Sequence, residues 1–101
     1  MNWDDISMLI RKTIGRNIRR HRERIGMSQS AFANMISVGR SYENEIENGK
    51  HNVSVNELMK IADGLDVPLS ELFFGLTECA PRNLTQQSVD YCFMKLSDEE
   101  E

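Results

Sequence analysis

Cysteine is scarce in this chain of 101 residues, and its two copies form no recognisable site. Cys79 and Cys92 are separated by twelve residues, with no second pair and no neighbouring histidine. This pattern predicts neither a disulfide framework nor a zinc site. We therefore expect a reduced, intracellular chain.

Long apolar runs and catalytic signatures are also missing from the sequence. No apolar run approaches the ~20 residues of a membrane span, and the start, MNWDDISMLIRKT, is acidic where a secretory signal is basic. There is no glycine-rich phosphate loop, nucleophile motif or metal-ligand spacing. We predict a cytoplasmic protein without a membrane segment, catalytic residue, metal or cofactor, and therefore not an enzyme.

Charge is distributed unevenly along the chain. The formal net charge is −4, yet residues 11–24 hold seven arginines and lysines against one glutamate, and residues 98–101 are all acidic. A basic segment on an acidic chain indicates a polarised molecule that can meet nucleic acid. The plainer interpretation is a solvated helix face.

Apolar periodicity predicts five helices and no strands. In helix 1, which ends near Ile25 before Gly26, one side carries Ile10, Ile14, Ile18, His21 and Ile25. Ser28 caps helix 2, and only three residues, 37–39, separate it from helix 3 at about 40–48. So short a joint forces a steep crossing, which is a helix-turn-helix unit.

Two further helices complete the predicted domain, residues 13–75. Helix 4, SVNELMKIADGL, begins with a capping box of Ser54 and Glu57 and buries a stripe of Leu58, Ile61, Ala62 and Leu65. After Pro68, PLSELF predicts a fifth, short helix that buries Leu69, Leu72 and Phe73. The fold class is thus an all-α five-helix bundle with N- and C-terminal helical extensions.

The extensions bear on assembly. Residues 1–12 carry an apolar stripe of Trp3, Ile6 and Ile10, and form either a separate helix or a continuation of helix 1. Residues 76–101 contain a second amphipathic pattern at 85–97 and the acidic tail. Two amphipathic flanks favour a homodimer; folding back onto the chain's own domain is the alternative.

Residues 14–73 resemble the lambda-repressor-like, Cro/XRE-type helix-turn-helix family. The matching features are Arg22 late in helix 1, Ser28-Gln29 opening helix 2, Ala33 within it, Ile46-Glu47 ending helix 3, and Asn48-Gly49-Lys50 after it. The resemblance implies a five-helix bundle that binds double-stranded DNA, usually as a dimer on a palindromic operator and usually as a transcriptional repressor.

In such a domain helix 3 lies in the major groove, while the start of helix 2 and the loop after helix 3 meet phosphates. Carried over by position, the residues facing base edges are Arg40, Ser41, Asn44 and Glu45. Those facing phosphate are Ser28, Gln29, Lys50, His51 and Asn52. Tyr42 and Ile46 are core positions.

The chemistry of helix 3 refines these expectations. Asn44 suits adenine N6 and N7, and Arg40 suits guanine O6 and N7. Glu45 either accepts from cytosine N4 while repelling phosphate, or points to solvent. The resemblance pairs Glu47 with Arg22, whose position on the apolar side of helix 1 requires a partner.

Glu43 departs from the family, which normally has an apolar residue there. A carboxylate on the inward stripe must bend out, find a cation such as Arg40, or alter the packing of helix 3. Ser37 and Gly39 replace the usual turn glycine and serine cap, and we expect His21 to be a packed core histidine. The acidic helix 3 favours an alternative function, a protein-interaction module such as an antitoxin or adaptor.

Overall fold

The computed structural model describes residues 2–76 and is entirely helical in that range. Its α-helices are α1 (Trp3–Arg24), α2 (Gln29–Met35), α3 (Arg40–Glu47) and α4 (Val55–Leu65), followed by a 3₁₀ helix (Leu69–Phe73). The all-α prediction is confirmed, but the fifth helix is 3₁₀ rather than α. The predicted helix at 85–97 and the acidic tail lie outside the described residues.

Local sequence signals set the helix boundaries. The Oγ atoms of Ser28 and Ser54 accept hydrogen bonds from the amides of Ala31 and Glu57, at 3.0 and 3.1 Å, and so cap α2 and α4. Gly26 and Gly49 adopt positive φ after α1 and α3. Only half of the predicted capping box forms on α4, because the Glu57 carboxylate accepts a hydrogen bond from the Tyr42 hydroxyl.

The N-terminal extension is the first half of α1 and not a separate helix. Ile6 and Leu9 are buried, whereas Trp3 is 75% exposed. None of the helices in residues 2–76 is long and apolar enough to cross a membrane.

The core lies where all five elements meet. Its buried members are Ile14, Ile18, Phe32, Ile36, Ile46, Leu58, Ile61, Ala62, Leu65 and Leu72. Two predicted core positions are corrected: Ile25, the C-cap of α1, and Leu69, in the first turn of the 3₁₀ helix, are exposed. Both stand at element ends, where the neighbouring elements leave one side open.

Two residues of α1 that the periodicity does not single out hold the bundle together. Asn17 is buried and donates from Nδ2 to the carbonyls of Leu72 and Phe74, at 2.8 and 3.0 Å, so it fixes the 3₁₀ helix against α1. At Gly15 a Cβ atom would lie 2.4 and 2.6 Å from the carbonyl oxygens of Glu47 and Ile46. Glycine therefore permits the end of α3 to touch α1.

Candidate nucleic-acid interface

The turn between α2 and α3 sets the direction of α3. Ser37 adopts φ +60°, a left-handed conformation that glycine adopts more easily, and Val38 turns partly into the core. Gly39 supplies an extended N-cap without a side-chain hydrogen bond. The predicted joint is short, since α2 ends at Met35 and α3 begins at Arg40, and it contains a strained serine.

A buried ion pair joins α1 to α3. Arg22 donates from Nε and Nη2 to the two carboxylate oxygens of Glu47, at 2.6 and 3.0 Å, and from Nη1 to the carbonyl of Met27 at 2.7 Å. The hydrogen bond to Glu47 raises the pKa of Arg22. Burial would raise the pKa of Glu47, but hydrogen bonds from Arg22, Glu43 and Gln29 outweigh it and lower that pKa. The pair is thus ionised and bidentate.

Glu43 lies beside this pair with its side chain fully inside. Its exposure is 1%, and among the described residues no N–H donor reaches either of its oxygens. Burial, followed by the hydrogen bond and the charge of Glu47, raises the pKa of Glu43 to about 8, while Arg22 opposes the rise. At neutral pH Glu43 is therefore a neutral acid that donates its proton towards Glu47.

The Glu43 side chain does not bend out to solvent, which was the first of the three expected ways to accommodate it. The second way fails too, because the predicted partner Arg40 is exposed and forms no ion pair within residues 2–76. The acid keeps its proton instead, because a neighbouring carboxylate already holds the nearest guanidinium. Helix α3 stays regular around it.

Polar contacts continue from the ion pair to the surface. Gln29 donates from Nε2 to Glu47 at 3.2 Å and accepts at Oε1 from Asn44 Nδ2 at 3.1 Å. Asn44 Oδ1 in turn accepts from Asn48 at 3.2 Å. One N–H and one lone pair of the Asn44 amide remain, and adenine presents the matching acceptor and donor at N7 and N6.

The side of α3 opposite Ile46 is open to solvent. A shallow polar depression of about 300 Å³ is lined there by Gln29, Arg40, Ser41, Asn44 and Glu45. The structure thus brings the four predicted base-facing residues together around one end of Gln29. Ser28 lies at the adjoining start of α2 with its hydroxyl engaged in capping.

The loop after α3 carries the other predicted phosphate contacts. Lys50 is exposed, and the His51 ring lies 4.8 Å from the Tyr42 ring with Nε2 3.4 Å from the Glu45 carboxylate. Glu45 is therefore drawn to the flank of α3 beside His51. Asn52 is exposed, but its Oδ1 accepts a hydrogen bond from Arg11 at 3.0 Å.

Arg11 is a site residue that the sequence reasoning missed. Its Nε donates to the carbonyl of Gly49 at 3.0 Å, and its Nη1 also donates to Ser7 Oγ at 2.9 Å. The guanidinium thereby ties the loop to α1. The sequence gives only a weak indication of this role, because Arg11 is one of seven basic residues in 11–24.

That basic segment is only partly a solvated face. Arg22 is buried in the ion pair, and Arg19 is in contact with Glu23 at 3.4 Å on the surface. His21 is buried with Nε2 3.5 Å from the Glu71 carboxylate, so it packs in the core as expected. Arg11 and Arg22 therefore join parts of the fold and do not form a solvated face.

Comparisons with known proteins agree with this geometry. A family model described as "HTH_3: Helix-turn-helix" matches residues 18–72. The chain is 50% identical over 52 residues to "Control protein C.MunI" of Mycoplasma sp, an alignment that covers 52% of this chain and 70% of that protein. It is 46% identical over 61 residues to "HTH-type transcriptional regulator SlrR" of Bacillus subtilis (strain 168), covering 59% of this chain and 40% of the relative.

Solved structures show the same architecture. The restriction-modification controller protein C.AhdI from Aeromonas hydrophila superposes with a TM-score of 0.59 at 35% identity, covering 64% of this chain and 96% of the controller. The hypothetical transcription factor NHTF from Neisseria gives a TM-score of 0.64 at 26% identity, over 69% and 80% of the two chains. The chain therefore belongs to the HTH_3, Cro/XRE-type helix-turn-helix family of DNA-binding transcriptional regulators, which is not an enzyme family.

Proposed function

We propose that this protein is a sequence-specific regulator, most simply a repressor, that binds a palindromic operator as a homodimer. Helix α3 enters the major groove, with Arg40, Ser41, Asn44 and Glu45 at base edges. Ser28, Gln29, Lys50, His51 and Asn52 lie along the flanking phosphates. The observation that carries the proposal is the solvent-exposed polar side of α3, turned away from Ile46.

The hydrogen bonds of the free protein support a reading role for Asn44. Gln29 and Asn48 hold its amide from two sides, so little side-chain freedom is lost when a base binds. Gln29 is itself fixed by the buried Glu47. The amide is thus oriented before it meets DNA.

The acidic sequence of helix 3, and above all Glu43, favours the alternative function of a protein-interaction module. That side chain is 1% exposed and so cannot touch a partner. Glu47 is buried as well, and Glu45 is the remaining acid of α3 at the surface. The exposed side of α3 therefore carries fewer acidic side chains than the helix contains.

The test is selection from random duplex DNA with the purified full chain. We expect enrichment of a two-fold repeated motif with half-sites about one helical turn, ~34 Å, apart. The affinity for the selected DNA should fall steeply as the salt concentration rises, because counterions are released on binding. Sedimentation should show a dimer of the protein on the DNA. No enrichment at low salt would refute the proposal.

Single substitutions distinguish residues that contact base edges from residues that contact phosphates. Asn44→Ala should relax preference at one base pair, by ~1–3 kcal/mol, whereas Lys50→Ala should weaken all sequences alike and make the salt slope shallower by about one. Asn56→Ala, an exposed asparagine on α4, is the control that should change neither. Unchanged binding in both test variants would show that another surface meets the DNA.

A further inference from the structure

A second depression, distinct from the open side of α3, lies between the first half of α1 and residues 51–53. Its volume is about 330 Å³, and its walls are largely apolar, with Ile6, Ile10, Ile14 and Val53 among them. The exposed ring of Trp3 also lines it. Concave, mostly apolar spaces of this size with few polar groups are typical of sites for small molecules.

The polar residues that line this cleft are Ser7, Arg11, His51 and Asn52, and Arg11 is the one with a permanent positive charge. Arg11 uses Nε and Nη1 for Gly49, Ser7 and Asn52, and no hydrogen-bond partner of its Nη2 lies within residues 2–76. No carboxylate in the described part of the chain forms an ion pair with it. A positive charge with unused donors at an apolar cleft is complementary to a carboxylate on an apolar chain.

The volume limits the size of such a ligand. At roughly 30 Å³ for each water-sized group, 330 Å³ holds roughly eleven non-hydrogen atoms. A straight-chain acid of about eight carbons fits this limit. We propose that the cleft binds a medium-chain carboxylic acid, with its chain among the isoleucines and its carboxylate on Arg11, and that this acid weakens DNA binding.

The coupling follows from what else Arg11 holds. Its guanidinium fixes the Gly49 carbonyl and Asn52 Oδ1, both in the loop between α3 and α4. A bidentate carboxylate needs a second nitrogen beside the unused Nη2, so it displaces either the Gly49 carbonyl from Nε or Asn52 Oδ1 from Nη1 and frees the loop that carries Lys50. This part of the inference rests on the proposed function, since it requires that the loop meets phosphate.

Binding is measurable without DNA, because Trp3 is the only tryptophan of the chain and lines the cleft. We expect sodium octanoate to change the Trp3 emission saturably, with an affinity at least about tenfold higher than that of octanamide. Acetate, which has the charge but no chain, should leave the emission unchanged. Equal affinities for octanoate and octanamide, or no saturable change, would overturn the assignment.

Two variants locate the site, with a matched control. Arg11→Gln should abolish the preference for octanoate over octanamide, and Ile10→Phe, which fills the cleft but leaves Arg11 in place, should weaken both ligands. Arg24→Gln removes the same charge from an exposed position at the other end of α1 and should change neither affinity. Octanoate binding that survives both test variants would place the ligand elsewhere.

The effect of the acid on DNA binding is measured with an operator recovered by selection. Saturating octanoate should lower the operator affinity of the natural chain at least about tenfold. It should cause no further change in Arg11→Gln, in which the guanidinium that fixes the loop is already missing. Octanoate binding without any change in operator affinity would overturn the coupling. Failure to recover any operator would instead refute the proposed function, and the fluorescence result would still decide whether the cleft binds acids.

Discussion

The buried acid Glu43 makes the stability of this domain depend on pH across the neutral range. In the folded protein its pKa is about 8, against an ordinary value of 4.5 that we assign to the unfolded chain. Because the folded pKa is raised, the stabilising contribution is complete below pH 4.5 and is lost as the pH rises towards 8. The unfolded chain releases a proton that the folded chain retains.

The size of the effect follows from one proton. Each pH unit between the two values lowers the free energy of unfolding by about 1.4 kcal/mol, which amounts to a loss of about 3 kcal/mol between pH 5 and pH 7.5. Glu47, whose pKa is lowered, contributes in the opposite sense, because its stabilisation is lost as the pH falls below 4.5. This loss occurs below the range of pH 5 to pH 7.5 in which the effect of Glu43 is measured.

Glu43→Gln removes the titration but keeps the hydrogen bond, since the amide can donate to Glu47 as the neutral acid does. We expect the variant to show a flat free energy of unfolding from pH 5 to pH 7.5, and to exceed the natural chain by about 4 kcal/mol at the upper end, three pH units above the ordinary pKa of 4.5. Urea unfolding at fixed protein concentration, followed by far-ultraviolet circular dichroism, measures both.

The control is Glu45→Gln, which removes the same charge from the half-exposed flank of α3. Its stability should stay within about 0.5 kcal/mol of the natural chain throughout. Parallel pH curves for Glu43→Gln and the natural chain, or a variant less stable at pH 7.5, would show that Glu43 does not hold its proton inside the fold.

Substitutions at Gly15, Arg22 and Ser37, two of them with a matched second variant, test the scaffold by urea or thermal unfolding. Gly15→Ala should cost about 2 kcal/mol in spite of the better helix propensity of alanine, because its Cβ would meet carbonyl oxygens of α3; an increase in stability would contradict that close approach. Arg22→Met should cost ~3–5 kcal/mol by leaving Glu47 buried and unpaired, and the double variant with Glu47→Leu should recover most of it; no recovery would mean that the charge is not the cause. Ser37→Gly should stabilise by about 1 kcal/mol, or ~4–8 °C in Tm, whereas Ser30→Gly within α2 should destabilise; a loss at position 37 would show that its left-handed conformation is not strained.

Features that depend on one chain segment could be predicted from the sequence. Caps and stops are local signals, so Ser28, Gly26 and Gly49 placed the ends of three helices. The 3.6-residue period gave the inward side of α3. The pair of Arg22 and Glu47 came from the resemblance to a family, and the structure contains it with both hydrogen bonds.

Features that depend on contacts between segments could not be predicted in the same way. Periodicity points Glu43 inwards but does not reveal that Glu47 already occupies the nearest cation, and this decides that Glu43 is protonated. Arg11 meets Gly49 across 38 positions of sequence. The last helix is too short for its pattern to distinguish α from 3₁₀, because one turn of either fits PLSELF.

The division of α3 into two sides bears on how such a protein can acquire a new target. Its buried side is committed to the scaffold through Ile46, Glu47 and the protonated Glu43. Tyr42 packs against the core as well, whereas Arg40, Ser41 and Asn44 are exposed. A library randomised at these three positions should therefore fold throughout, and under the proposed function its members should choose different operators. The proposed recognition surface can thus be exchanged, by evolution or by a designer, without rebuilding the domain that presents it.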